Sequence, residues 1–97
     1  MAFVQIIEFS TSKTEQLQQL AEEWEKATEG RRTVTRRTLC RDRDDPDRYF
    51  NIVFFDSYES AMANSALPET DAFSKRLLEL VDAAPTFSNL DVVDDRS

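Results

Sequence analysis

The sequence predicts an α+β domain of ferredoxin-like βαββαβ order, a four-stranded antiparallel sheet with its helices on one face. Three observations carry this: four β-rich runs set apart by helical periodicity and turn residues, a single glycine where the first helix should stop, and a third β-rich run that is apolar on both faces. At 97 residues the chain has room for one such domain, spanning 1–97, well inside the size range of a single hydrophobic core.

The first strand is Phe3-Val4-Gln5-Ile6-Ile7-Glu8-Phe9, ended by the polar cluster Ser10-Thr11-Ser12. Ser12 and Glu15 have capping-box spacing, and Leu17, Leu20, Ala21, Trp24 and Ala27 then recur at three and four residues, which marks one apolar helical stripe. Gly30 stands where the helix C-cap belongs, because glycine alone takes positive φ without a Cβ clash. Thr33–Cys40 is rich in β-branched residues and reads as the second strand; Asp42–Asp47 is a polar, proline-containing hairpin loop. The third strand is Arg48–Phe55, closed by Asp56. Asp56 and Glu59 have the spacing of a helix cap ahead of a short helix to about Ser65, and Pro68 opens a second one carrying Phe73, Leu77, Leu80 and Val81. Pro85 ends it, Thr86–Val93 is the fourth strand, and Asp94–Ser97 is a charged tail.

Alternation along the third strand sends Phe50, Ile52 and Phe54 to one side and Tyr49, Val53 and Phe55 to the other. An antiparallel strand with one wet face alternates apolar and polar, so both sides of this sheet need cover. The helices supply one layer only. A second copy is the simplest cover for the other, since each buried Phe, Ile or Val is worth about 1.5–3 kcal/mol, and the expectation is a C2 homodimer packed sheet to sheet.

Composition narrows the chemistry. The chain has no histidine, which removes His general bases, Ser-His and Cys-His nucleophile pairs, His-ligated haem and His-containing zinc sites. One cysteine, Cys40, forms neither an internal disulfide nor a Cys-rich metal site and reads as a small strand filler. No metal and no cofactor is expected. No apolar run nears the ~20 residues of a membrane span, Met1-Ala2-Phe3 runs into polar sequence unlike a signal peptide, and the expected location is cytoplasmic.

A net charge of −7 opposes nucleic acid and anionic membranes as partners. RNA-recognition domains share the element order, and Arg48, Phe50, Val53 and Phe55 fall at their motif positions, but Tyr49 and Asn51 replace the small residues that flat base stacking needs. The charge is uneven: seven arginines against four aspartates leave +3 between residues 31 and 48, and −10 elsewhere. That segment reads either as a solvated hairpin with interleaved ion pairs or as an anion-facing or subunit-facing strand.

The junction Asn51–Met62, with Asn64 and then Pro68-Glu69-Thr70-Asp71-Ala72-Phe73, resembles the antibiotic biosynthesis monooxygenase-like group. The resemblance spans nearly the whole chain in element order and implies a dimeric α/β barrel. Where that group commonly places an acid, an aromatic and a histidine, this chain has Asp56, Tyr58 and Asn64. The missing histidine rules out the haem-degrading branch. The cofactor-free monooxygenases of the group let a deprotonated aromatic substrate react directly with oxygen and orient it with Asn, Trp and Tyr; here those places hold Phe54, Tyr58 and Asn64.

The candidate ligand-binding residues are Asn51, Tyr58, Asn64 and Arg37. Asn51 is the polar residue inside the third strand, and a buried amide must find a partner, whether a ligand or the other subunit. Tyr58 and Asn64 are six residues apart, not quite two turns, and border one cavity only if the helix is irregular there. Arg37 and Arg41 share a strand face with Leu39; from the inner face they would grip a carboxylate or enolate, from the outer face they would form ion pairs. Glu8 is read as a solvated residue and Trp24 as core. Two functions remain open: a barrel whose inter-sheet cavity binds a small hydrophobic or aromatic molecule, with cofactor-independent oxygenation implied by the resemblance, or a non-catalytic dimerisation or ligand-binding module.

Overall fold

In the computed structural model, which describes residues 1–97, the chain runs β1 (Phe3–Ser10), α1 (Thr14–Ala27), β2 (Val34–Arg41), β3 (Arg48–Phe55), α2 (Tyr58–Ser65), α3 (Pro68–Leu80) and β4 (Thr86–Asp91). The four strands form one antiparallel sheet in the order β2-β3-β1-β4. This is the ferredoxin-like α+β arrangement, with the second helical region split at Leu67-Pro68 because Pro68 starts a helix more readily than it continues one. No helix is long and apolar enough to cross a membrane.

Four local expectations shift. Lys13, not Ser12, is the N-cap residue of α1, and its side chain makes no cap bond; the wholly buried Thr11 takes over, its Oγ1 accepting from the Lys13 amide at 3.0 Å and donating to the Leu80 carbonyl at 2.6 Å. At α2 the cap is Ser57 rather than Asp56, its hydroxyl accepting the Ser60 amide at 3.1 Å. The first helix ends at Thr28, whose Oγ1 donates to the Trp24 carbonyl, so Gly30 (φ 79°) serves the turn that follows and not the cap. Strand β4 stops at Asp91 rather than Val93, because its last partner, Phe3, is the first residue of β1. Replacing Thr11 by valine keeps the shape but strands two backbone groups; we expect a loss of about 2 kcal/mol, roughly 10 °C in Tm for a domain of this size, measured by thermal denaturation.

Burial along β3 alternates strictly. Tyr49, Asn51, Val53 and Phe55 lie buried under the helices, while Phe50, Ile52 and Phe54 face away from them and are half-buried. The register puts Val4 opposite Phe54, Ile6 opposite Ile52 and Glu8 opposite Phe50 on that outer face. Arg36 lies over the Phe54 ring at 5.2 Å and Arg48 over Phe50 at 5.0 Å, which rims an apolar centre with cations.

The core beneath the helices comes in two parts. At one end Phe9 stacks on Tyr49 (5.7 Å between rings) and packs with Leu17, Leu20 and Leu77; at the other Phe3, Val53, Phe55 and Ala61 pack together. Asn51 falls between them, at the rung it shares with Ile7 and Leu39. A polar residue there, with the small Ala21 on the helix above, leaves the two halves without a filler.

The seven-arginine segment pairs mostly with other elements. Arg37 bonds Glu25 of α1 (2.9 Å), Arg31 pairs with Glu69 of α3, and Arg48 contacts Glu8 of β1 (2.5 Å) and Asp42 (3.5 Å). At the outer edge of the sheet β2 carries a bulge between Val34 and Arg36.

Candidate functional site

Between the two halves of the core lies a cavity of about 160 Å³, walled by the sheet on one side and by α1, α2 and α3 on the other. The inter-sheet position expected from the sequence is therefore corrected: the cavity sits under the helices of one chain, because Asn51 belongs to the helix-covered face.

Three of the four candidate residues meet there. Asn51 (8% exposed) reaches it from β3 and Asn64 (6% exposed) from the sheet-facing side of α2, one turn after the buried Ala61. Arg37 faces Val53 across the β2–β3 ladder, which makes it the diagonal neighbour of Asn51 on the same face, about 7–8 Å away along the backbone. Its Nη2 donates to Glu25 Oε1 at 2.9 Å, an anchor that fixes the guanidinium at the cavity wall. Tyr58 is not part of the group. Six residues turn a helix through about 600°, so Tyr58 points elsewhere than Asn64; it is 51% exposed and lies edge-on to Phe3 at 5.5 Å.

Three polar atoms of the residues around this space are unusual for an interior. Asn51 Oδ1, Asn64 Oδ1 and Arg37 Nε are all buried and none has a hydrogen-bond partner. Buried polar groups are otherwise almost always paired, and each unpaired one costs about 1–3 kcal/mol. All three belong to residues that line the cavity, so its wall is polar as well as apolar.

Sequence reasoning missed the walls. Trp24 is core, packed beside Leu17 and Leu20 as expected, yet its other side lines the cavity, and its Nε1 donates to Thr70 Oγ1 of α3 at 3.0 Å. Phe73 meets the indole at 6.0 Å between ring centroids, and the half-exposed Phe87 of β4 stands at the rim. The available signal was Ala21: a small residue on an otherwise large apolar stripe marks where a helix stands off its sheet.

The other candidates lie elsewhere. Glu8 is on the outer face, paired with Arg48, whose guanidinium is held more firmly protonated by that hydrogen bond, by the charge of Glu8 and then by Asp42. Arg41 is exposed opposite Tyr49 at the end of β2, and Cys40 is exposed opposite Phe50 on the outer face. Where α3 begins, the Arg31 hydrogen bond, and then a backbone amide, hold the Glu69 carboxyl below the usual carboxylate range. No group of three or more His, Cys, Asp or Glu side chains is placed to hold a metal ion.

No protein-family model and no curated protein sequence matches the chain. Solved structures do. SnoaB, a cofactor-independent oxygenase from Streptomyces nogalater, superposes with a TM-score of 0.83 at 14% identity, over 97% of this chain and 95% of its own. An antibiotic biosynthesis monooxygenase superposes at 0.76 with 16% identity, over 97% and 100%. The chain has the antibiotic biosynthesis monooxygenase fold. A Mycobacterium tuberculosis protein matches at 0.82 and 14% identity over the full length of both chains. Within this fold, Asn51, Asn64 and Arg37 are what this particular sequence places around the cavity.

Proposed function

We propose that the chain works as a homodimer, joined through its outer sheet faces, and that each chain's cavity binds a small hydrophobic or aromatic molecule. The observation that supports this best is the pair of buried carboxamides whose oxygens have no partner within the chain. A fold retains such groups at a cost to its own stability, and both side chains line the cavity.

The reaction we propose is cofactor-independent monooxygenation; the Streptomyces nogalater protein of the same fold is a cofactor-independent oxygenase. It needs no partner reductant: a phenol and O₂ give a quinone and water, the ring losing four electrons, one oxygen atom entering the ring and the other leaving as water. In that role the side chains of Asn51, Asn64 and Arg37, which line the cavity, would orient the ring so that the reacting carbon meets O₂.

One observation favours the non-catalytic alternative. Asp71 is the only carboxylate at the cavity, and it is mostly exposed and paired with Lys75 at 2.9 Å, so no buried base stands ready to deprotonate a phenol. The test is oxygen uptake with electron-rich phenols, without added metal or flavin, beside native mass spectrometry of the purified protein. Uptake with quinone formation supports the oxygenase. A dimer that retains a small molecule and consumes no oxygen across the panel supports the binding module, and a monomer with nothing bound overturns both.

A further inference from the structure

The outer face of the sheet is crossed by rungs, one residue from each strand, and the rung nearest the chain termini runs Arg36, Phe54, Val4, Leu90 from the β2 edge to the β4 edge. Its two ends differ in charge. Arg36 is exposed, lies over the Phe54 ring at 5.2 Å and forms no ion pair within the chain. Past Leu90 come Asp91, Asp94 and Asp95, all exposed, of which only Asp94 has a cation, Arg96 of the same tail at 2.9 Å. Three strand spacings, about 14 Å, separate the two edges, so the arginine cannot reach those carboxylates within one chain.

Resting on the reading that two copies join through this face, we propose that Arg36 of each copy binds the acidic C-terminal segment, Asp91 to Asp95, of the other. Sheets that pack aligned keep their strands within about 30° of each other, which leaves a two-fold axis running either along the strands or across them. An axis across the strands lays each strand on its own copy. The acidic ends of β4 then share an edge with each other, Phe54 stacks on the partner's Phe50, and the Glu8 carboxylate falls on the partner's Val4. An axis along the strands lays each rung on itself, with β2 on the partner's β4 and β3 on the partner's β1. Arg36 then meets the partner's Leu90 and the aspartates that follow it, and the large Phe54 meets the small side chain of the partner's Val4. Glu8 meets the partner's Phe50, over whose ring Arg48 lies at 5.0 Å, so its carboxylate has a cation from either chain. Charge and size select the second arrangement, and exposed pairs at a rim act in this way, fixing orientation more than adding affinity.

The experiment is a charge exchange on the whole protein, with the dimer dissociation constant measured by analytical ultracentrifugation at low ionic strength, where exposed pairs are least screened. Arg36→Glu should raise that constant by about five- to tenfold, since it turns an attraction into a repulsion, and Arg36→Gln should raise it by a smaller factor. Asp94→Lys together with Asp95→Lys should raise it by a similar five- to tenfold. Combining Arg36→Glu with the two lysines should bring it back to within about twofold of the wild type, and added salt should shrink all these differences. That recovery is what a role of Arg36 confined to its own Phe54 ring would not give. If each change weakens the dimer and the combination fails to recover it, the contact is overturned. If Arg36→Glu tightens the dimer, β2 lies on its own copy and the axis runs across the strands, which overturns the inference. If the wild type is dimeric and no variant moves the constant, the contact is overturned and the face-to-face reading stands. If the wild type is a monomer throughout, that reading falls and this inference with it.

Discussion

Asn51→Leu is expected to raise Tm by roughly 4–8 °C, the equivalent of about 1 kcal/mol in a domain of this size, while abolishing the binding of phenols. In the free protein Asn51 Oδ1 is buried between two halves of an apolar core and bonded to nothing. Leucine has the same branching at Cγ, can fill part of the adjoining cavity with its methyl groups, removes that desolvation cost of about 1–3 kcal/mol, and adds apolar area between Tyr49 and Val53. Thermal melts and a phenol titration check both halves of the statement. A destabilised variant would mean that the amide has a structural role; a stabilised variant that binds phenol as before would remove Asn51 from the site. Opposite signs for stability and binding are what a group kept for function should give.

The second large effect concerns assembly. Ile52→Asp is expected to turn the proposed dimer into a monomer at micromolar concentration, read as a halving of mass by light scattering. Ile52 stands at the centre of the outer face, directly opposite Ile6 and beside Thr38, with Val4 and Phe54 on the next rung. A carboxylate there meets no cation within the apolar centre, and leaving one charge buried and unpaired costs about 3–5 kcal/mol. Because the cavity lies on the opposite face, the monomer should still bind phenol. A wild-type protein that is monomeric at the same concentration, or a variant that stays dimeric, would rule out the face-to-face arrangement.

How much of this was legible in the sequence depended on the kind of signal. Strand β3 could be read to the residue because its polar flanks and double-sided apolar pattern are local properties of Arg48–Phe55. Element order and the break at Pro68 followed from the same kind of signal. Caps were misplaced by one or two residues: at α2 and at the end of α1 a neighbouring hydroxyl, Ser57 or Thr28, wins a local bond, while at the start of α1 Thr11 is drawn to the Leu80 carbonyl, 69 residues away, which no local spacing announces. Asn51 was legible as a misfit in an apolar strand, and Arg37 as a charge on a strand face. Which face of the sheet they shared was not, since alternation tells sides apart without saying which one the helices cover. Trp24 was read correctly as buried and its second role was hidden, for a side chain that walls a cavity has the same periodicity as one that fills a core.

The bulge at Val34/Arg36 has a bearing on what the sheet does not do. Strand β2 is an open edge, and a regular open edge invites another chain to extend it, the first step towards fibres. Here one rung is out of register and Arg36, Arg37 and Arg41 follow within six residues, so a second β2 laid antiparallel alongside would set guanidinium against guanidinium. Growth by hydrogen bonding is disfavoured at that edge, which leaves the apolar outer face as the surface through which the proposed dimer would close on itself.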